Sequence, residues 1–111
     1  MPVRRGDEVL FSDLTLCNTF FKRFKGLMFK PALAADAAYL FDRTDSIHSF
    51  NMRFVFDALF MDKQGNILAA HSSIKPWRVI APVKGAYWCL EMVEGSIERH
   101  SLKPGQRLEW G

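Results

Sequence analysis

Three ionisable side chains stand inside one of the most apolar stretches of the chain: His48, Arg53 and Asp57, within Ile47-His48-Ser49-Phe50-Asn51-Met52-Arg53-Phe54-Val55-Phe56-Asp57. A fourth, Glu91, lies in Trp88-Cys89-Leu90-Glu91-Met92. A buried charge is costly unless it is paired, so a buried Arg53 requires a carboxylate. Asp57 is the nearest by sequence, but four residues of straight strand span about 13 Å. A bulge or turn near Asn51 is then needed, or an acid from another segment such as Glu91. The leading reading is a structural Arg–Glu pair that fixes strand register. Two others follow it: a ligand-binding cluster of His48, Arg53, Asp57 and Glu91 at a cleft, and acid–base catalysis by His48 with Asp57. In the cluster, Arg53 or Arg78 would hold a small anion with its planar fork.

Met52 near His48 raises the possibility of copper, which accepts imidazole and thioether ligands. His48, His71 and His100 fall in separate segments without H-x-x-x-H spacing, and no metal or other cofactor is expected. The chain has no G-x-G-x-x-G after a strand, no phosphate loop and no G-x-S-x-G elbow, so an ordinary hydrolase or nucleotide enzyme is not supported. Cys17 and Cys89 lack C-x-x-C spacing and an activating base close in sequence. They are expected as buried reduced thiols, with a disulfide left open should their strands be neighbours.

The elements that must position these groups are short. Leu10, Leu14 and Leu16 put a period-two apolar face on Glu8 to Cys17, which reads as one half-buried strand. Asn18 or Thr19 can cap an amphipathic helix over Thr19 to Met28, with Phe20, Phe24 and Leu27 on its inner face. Ala38 to Phe41 reads as a buried strand and Ile47 to Phe56 as a longer extended one, its even positions sharing a face. Ala58 to Met61, apolar on both faces, suggests a central strand, followed by the loop Asp62-Lys63-Gln64-Gly65-Asn66 and then Ile67 to Ala70. That pattern predicts a hairpin with a bulge. Ser72 to Gly85, with Pro76 and Pro82, reads as loop. Ala86 to Met92 is a strand, Gly95 to Ser101 one helical turn, Pro104-Gly105 a turn, and Gln106 to Trp110 a closing strand.

These segments make an α+β domain, mainly antiparallel β, built as a barrel-like or curved sheet with one short helix. One domain over residues 1–111 is the simplest organisation, since no linker, repeat or low-complexity stretch interrupts the chain. At 111 residues it can bury a core without staples. Ten phenylalanines supply much of that core.

The net charge of +3 is modest and the basic residues are interleaved with acids. Phe20 to Lys30 mixes aromatic and basic residues as single-strand binders do. At helical spacing, however, the same letters describe a solvated basic face over an aromatic one, so nucleic acid is not the expected partner. The apolar runs reach five residues, far short of the roughly twenty of a membrane span. The charged start Met1 to Glu8 lacks the apolar stretch of a secretory signal. A cytoplasmic monomer without membrane contact is expected.

Three blocks, in order, resemble the family called "domain of unknown function 192". Lys25-Gly26-Leu27-Met28-Phe29 is similar to its R-G-L-M-F-R box. His48-Ser49-Phe50-Asn51-Met52-Arg53-Phe54, continuing through Asp57 to Phe60-Met61-Asp62, resembles its H-T-F-G-M-R-F-P-I-D-x-x-F-x-D motif. Leu90-Glu91-Met92-Val93-Glu94-Gly95 resembles its L-E-L-x-x-G. Asn51 replaces a glycine usual in this version, and Val55 a proline. If the glycine has a positive φ, Asn is the best substitute. Losing the proline loosens the turn before Asp57. Another version of the motif has F-W-M-K-N-T in place of H-T-F-G-M-R-F, so His48 need not be catalytic. The resemblance spans about residues 8 to 110 and implies a β-rich domain without an established activity.

The function expected is therefore a binding or accessory module for a small anionic ligand or a protein segment. Its candidate contacts are His48, Met52, Arg53, Asp57, Arg78 and Glu91, and no catalytic residue is assigned. An enzyme using His48 and Asp57, or a single-stranded nucleic-acid binder, are the alternatives.

Overall fold

Hydrophobic alternation and turn residues divide the chain into many short extended segments, as a computed structural model of residues 1–19 and 32–111 describes. The strands are β1 (Val3–Arg5), β2 (Glu8–Phe11), β3 (Asp13–Cys17), β4 (Ala37–Phe41), β5 (Ile47–His48), β6 (Phe56–Met61), β7 (Ile67–Ile74), β8 (Val79–Ile80), β9 (Trp88–Val93) and β10 (Glu109–Trp110). The helix among the described residues is α1 (Ser96–Arg99), within the turn expected at Gly95 to Ser101. The helix expected at Thr19 to Met28 lies largely outside the described residues. No described helix is long and apolar enough to cross a membrane.

Five strands form the central sheet in the order β3-β4-β9-β6-β7, with β10-β1-β2 and β5-β8 as smaller sheets. Pairing is antiparallel except between β3 and β4. The α+β, mainly antiparallel class holds, and the sheets are curved rather than closed into a barrel, since β3 and β7 remain edges.

Both faces of the central sheet are covered. On one face Leu14, Leu40, Leu59, Met61, Leu90 and Met92 meet Val3, Leu10 and Phe11 of the three-stranded sheet. On the other, Cys17, Phe41, Phe56, Ala58, Phe60 and Cys89 meet Met52, with Ile47, Phe54 and Ile80 packed at its margin. Every residue of β6 is buried, as the apolar run from Ala58 to Met61 predicts for a strand paired on both sides.

The β6–β7 hairpin carries the expected bulge, a register shift between Phe60 and Met61. Asp62 anchors its loop: Oδ1 accepts from the backbone N–H groups of Gln64 and Asn66, and Asn66 Nδ2 donates to both oxygens. These bonds, chiefly that from the Asn66 side chain, hold the Asp62 carboxyl below its usual range. Gly65 closes the loop at φ 88°, where a Cβ would overlap the Leu108 carbonyl oxygen.

Three expected segments differ. Glu8 to Cys17 is two strands, broken at Ser12, whose hydroxyl donates to Asp36 Oδ2. The leucine periodicity survives the break because β2 and β3 line the same core from different sheets. Ile47 to Phe56 is not one strand: β5 ends at His48, and Asn51 adopts φ 64°, turning the chain. Finally, β7 runs on to Ile74, because Phe56 of β6 extends far enough to pair with it. Pro76 and Pro82 lie outside the strands.

Candidate functional site

Alternation along β6 and β9 decides where the buried acids point. Asp57 is in register with Met92 and Ala58 with Glu91, so Asp57 shares the face of Leu59 and Met61 while Glu91 faces the opposite core with Cys89. The two carboxyls cannot join one cluster. Asp57 is fully buried and ties three backbone segments together: Oδ1 accepts from Ser73 N at 2.9 Å, and Oδ2 from Gly95 N at 3.1 Å and Ile97 N at 2.9 Å. It secures the start of α1 and the late turn of β7. Glu91 is 6% exposed, and burial pushes its carboxyl up to about 8. The Cys89 thiol is pushed well above its usual value by burial and then by Glu91.

Arg53 is exposed and forms an ion pair with neither acid. The expected pair fails because its premise fails: the turn at Asn51 carries the guanidinium to the surface instead of into a strand. Met52, next to it, points inward and packs beneath Phe56 and Phe60's core. His48 is exposed on β5, and its Nδ1 accepts from Phe50 N at 3.2 Å. It makes no hydrogen bond with Asp57, whose oxygens already hold three N–H donors. The six sequence candidates are thus divided among two cores and a surface.

Cys17 and Cys89 are buried and neither is in a disulfide. Cys17 pairs with Phe41 from one side and Cys89 from the other, so two strand spacings, roughly 9–10 Å, separate them. A disulfide needs Cα atoms within about 7 Å.

The residue that organises the surface is Ser49, which is fully buried. Its hydroxyl donates to Lys75 O at 2.6 Å and accepts from Arg78 N at 2.8 Å. Its N–H donates to Arg78 O at 2.8 Å, and its carbonyl accepts from Trp77 N at 3.0 Å and Met52 N at 3.2 Å. One small side chain therefore locks the 48–52 turn to the 75–79 turn. Ser49 is not among the candidate contacts expected from sequence; its signal there is a hydroxyl at a turn directly after a short apolar segment.

This lock holds rings outside the protein. His48 and Phe50 have centroids 4.9 Å apart, and Phe50 stacks on Trp77 at 5.6 Å with a 29° interplanar angle. Phe50 is 39% exposed and Trp77 62%, and Val79, in register opposite His48, is 67% exposed. Asn51, Ser73 and Trp77 all have positive φ, at 64°, 55° and 65°. Left-handed backbone is uncommon for non-glycine residues and is a genuine outlier for a bulky one such as Trp77.

A groove of about 480 Å³ runs between β7 and β8, lined by Ala70 to Lys75 and Arg78 to Ile80; Trp77 stands in the turn between these two stretches and is not part of the lining. Its ionisable lining is His71, Lys75 and Arg78, with no acid. Lys75 and Arg78 are exposed, and His71 is half-buried against Phe60, ring centroids 5.7 Å apart. Arg78 is the one ligand-binding candidate that reaches the groove; Lys75 lies in the segment expected as loop, and His71, between the expected strand and that loop, is on β7.

The family model for DUF192, described as "Uncharacterized ACR", matches residues 2–110. The chain belongs to the DUF192 family. The UPF0127 protein PF1050 of Pyrococcus furiosus is 32% identical over 113 residues, covering 99% of this chain and 96% of the relative. UPF0127 protein PH1112 of Pyrococcus horikoshii is 32% identical over 103 residues, with 88% and 87% covered. A crystal structure of a proposed transcription regulator from Sinorhizobium meliloti superposes with a TM-score of 0.80 at 28% identity, covering 86% of this chain and 79% of that one. A protein of unknown function from Novosphingobium aromaticivorans has the same fold, with a TM-score of 0.80 at 22% identity over 87% and 74% of the chains. The central DUF192 block now has a physical reading: Ser49 joins two turns, Asn51 occupies the left-handed position where glycine is usual, Asp57 holds three amides, and Asp62 ties the hairpin.

Proposed function

We propose that this protein is a binding module that holds a small anionic ligand in the groove between β7 and β8. The observation that carries the reading is the charge of the lining: Lys75, Arg78 and His71 face a cavity of about 480 Å³ that no carboxylate lines. A guanidinium supplies a planar fork for a carboxylate or phosphate, and Lys75 adds a point charge. Arg53 is exposed on the turn joined to this one through Ser49, and serves as a peripheral cation rather than a buried partner. The ligand is held by preformed loops, since Ser49 fixes both turns before anything binds.

Isothermal titration with inorganic phosphate and with succinate tests the reading. Binding should weaken at least tenfold in Arg78→Ala and in Lys75→Ala and fall with added salt. Affinities unchanged in both variants would overturn it. A duplex DNA titrated in parallel addresses the name carried by the Sinorhizobium protein. Tight DNA binding that competes with phosphate would replace the small anion with a nucleic-acid backbone.

A further inference from the structure

We infer that the ligand of this groove carries a flat conjugated ring, which stacks on Trp77 while its anionic group reaches Arg78 and Lys75. The inference rests on the anion-binding reading and adds the second half of the ligand.

The ring column is more exposed than a structural clamp requires. Phe50 and Trp77 stack across the two turns, which helps hold the loops together. A clamp of that kind is best buried, yet 62% of Trp77 stays in water, stacked on a Phe50 that is itself 39% exposed. Contiguous exposed apolar surface rimmed by charge is the usual form of a recognition site.

The backbone keeps Trp77 there. Its φ of 65° disfavours a bulky side chain, and its N–H is tied to the Ser49 carbonyl at 3.0 Å. The next residue, Arg78, is tied to the Ser49 hydroxyl at 2.8 Å. The backbone N–H groups of these two consecutive residues are thus both held by one buried serine, while the Arg78 guanidinium donates to the Pro76 carbonyl at 3.4 Å. The proposed ligand places its charge in the groove at Arg78 and extends past the rim to the adjoining residue, Trp77, so the charge is attached to its ring directly or through a short linker. His48 extends the column, its ring oriented by the Phe50 N–H. An indole face accepts any flat ring, so stacking supplies contact while the cations select for charge.

The probes are 2-naphthoate, cyclohexanecarboxylate and 2-naphthamide, titrated while the indole N–H signals are followed by NMR. Naphthoate should bind at least tenfold more tightly than cyclohexanecarboxylate, with the largest shift at Trp77 rather than Trp88 or Trp110. Naphthamide should bind at least tenfold more weakly than naphthoate. Trp77→Gly suits the left-handed backbone and removes the ring. It should abolish the aromatic preference while phosphate binding persists and still depends on Arg78 and Lys75, and Trp77→Phe should restore most of the preference. Phosphate binding without any aromatic preference would overturn the ring inference and leave the anion reading intact. An aromatic preference that persists in Trp77→Gly would also overturn it. Naphthoate binding that needs Trp77 but is indifferent to Arg78→Ala and Lys75→Ala would instead remove the anion reading, and with it the ligand proposed here.

Discussion

The two halves of the central block, 48–54 and 56–62, draw on similar residues and do opposite things with them. In the second half every residue of β6 is buried, and its polar member, Asp57, accepts hydrogen bonds from three amides. In the first half the buried polar group is a single hydroxyl, and the rings and cations around it face water. A fully satisfied polar group in a core contributes to one well-defined packing. A locked turn that holds rings and charges outside contributes a surface. Phenylalanine count and charge pattern do not distinguish the two; hydrogen-bond partners do.

Changes that empty the buried half should cost most. Asp57→Ala leaves the amides of Ser73, Gly95 and Ile97 without their acceptor. Partial access of water to the exposed turns tempers the loss, and about 4 kcal/mol of stability is expected in urea denaturation. A loss under 1 kcal/mol would show that these amides find other partners.

Glu91 sharpens the contrast from across the sheet. Its folded value of about 8 lies above the ordinary 4.5, so the folded state binds the proton more tightly than the unfolded state. Stability from this group is full below about pH 4.5 and declines as pH rises towards 8. At about 1.4 kcal/mol per pH unit the decline is bounded near 5 kcal/mol, and about 3 is expected once water entry is allowed. Glu91→Gln should remove that slope from a series of denaturation midpoints between these pH values. A wild-type curve already flat over the range would mean the carboxyl is solvated.

In the exposed half the largest effect should come from its buried hydroxyl. Ser49→Ala removes the bonds to Lys75 O and Arg78 N, and should cost about 2 kcal/mol. It should also weaken phosphate binding, whereas Ser49→Thr should retain much of both. Equal affinity in Ser49→Ala would mean the turns keep their shape without the lock. The smallest effect belongs to Arg53→Met. With no carboxylate partner among the described residues to orphan, its thermal midpoint should correspond to a change within about 0.5 kcal/mol. A loss of 3 kcal/mol would restore the buried pair.

Much of the fold was legible because its signals are local. The run Ala58 to Met61, the Asp62 to Asn66 loop with its glycine, and the Pro104-Gly105 turn lie where their chemistry predicts. Asn51 has the left-handed φ that the sequence left as a condition, and asparagine is a residue that tolerates it. The side of the sheet that each acid faces, and the depth of Arg53, depended on where the Ile47 to Phe56 segment bends. Reading that segment as one strand put Arg53 in the core and allowed Asp57 and Glu91 to share a site.

The sequence by itself therefore determined the mainly antiparallel class, the β6–β7 hairpin, the DUF192 membership and the burial of both cysteines. Only the tertiary structure decided which residues meet. Ser49 reaches Lys75 and Arg78 across 26 and 29 residues, and Asp57 reaches Ile97 across 40. Periodicity reports the face that a side chain takes within its own strand, and turn chemistry reports the next few residues. Neither specifies which distant backbone amide will stand opposite a given oxygen, because that depends on strand order, and strand order follows from burying both faces of one sheet at once.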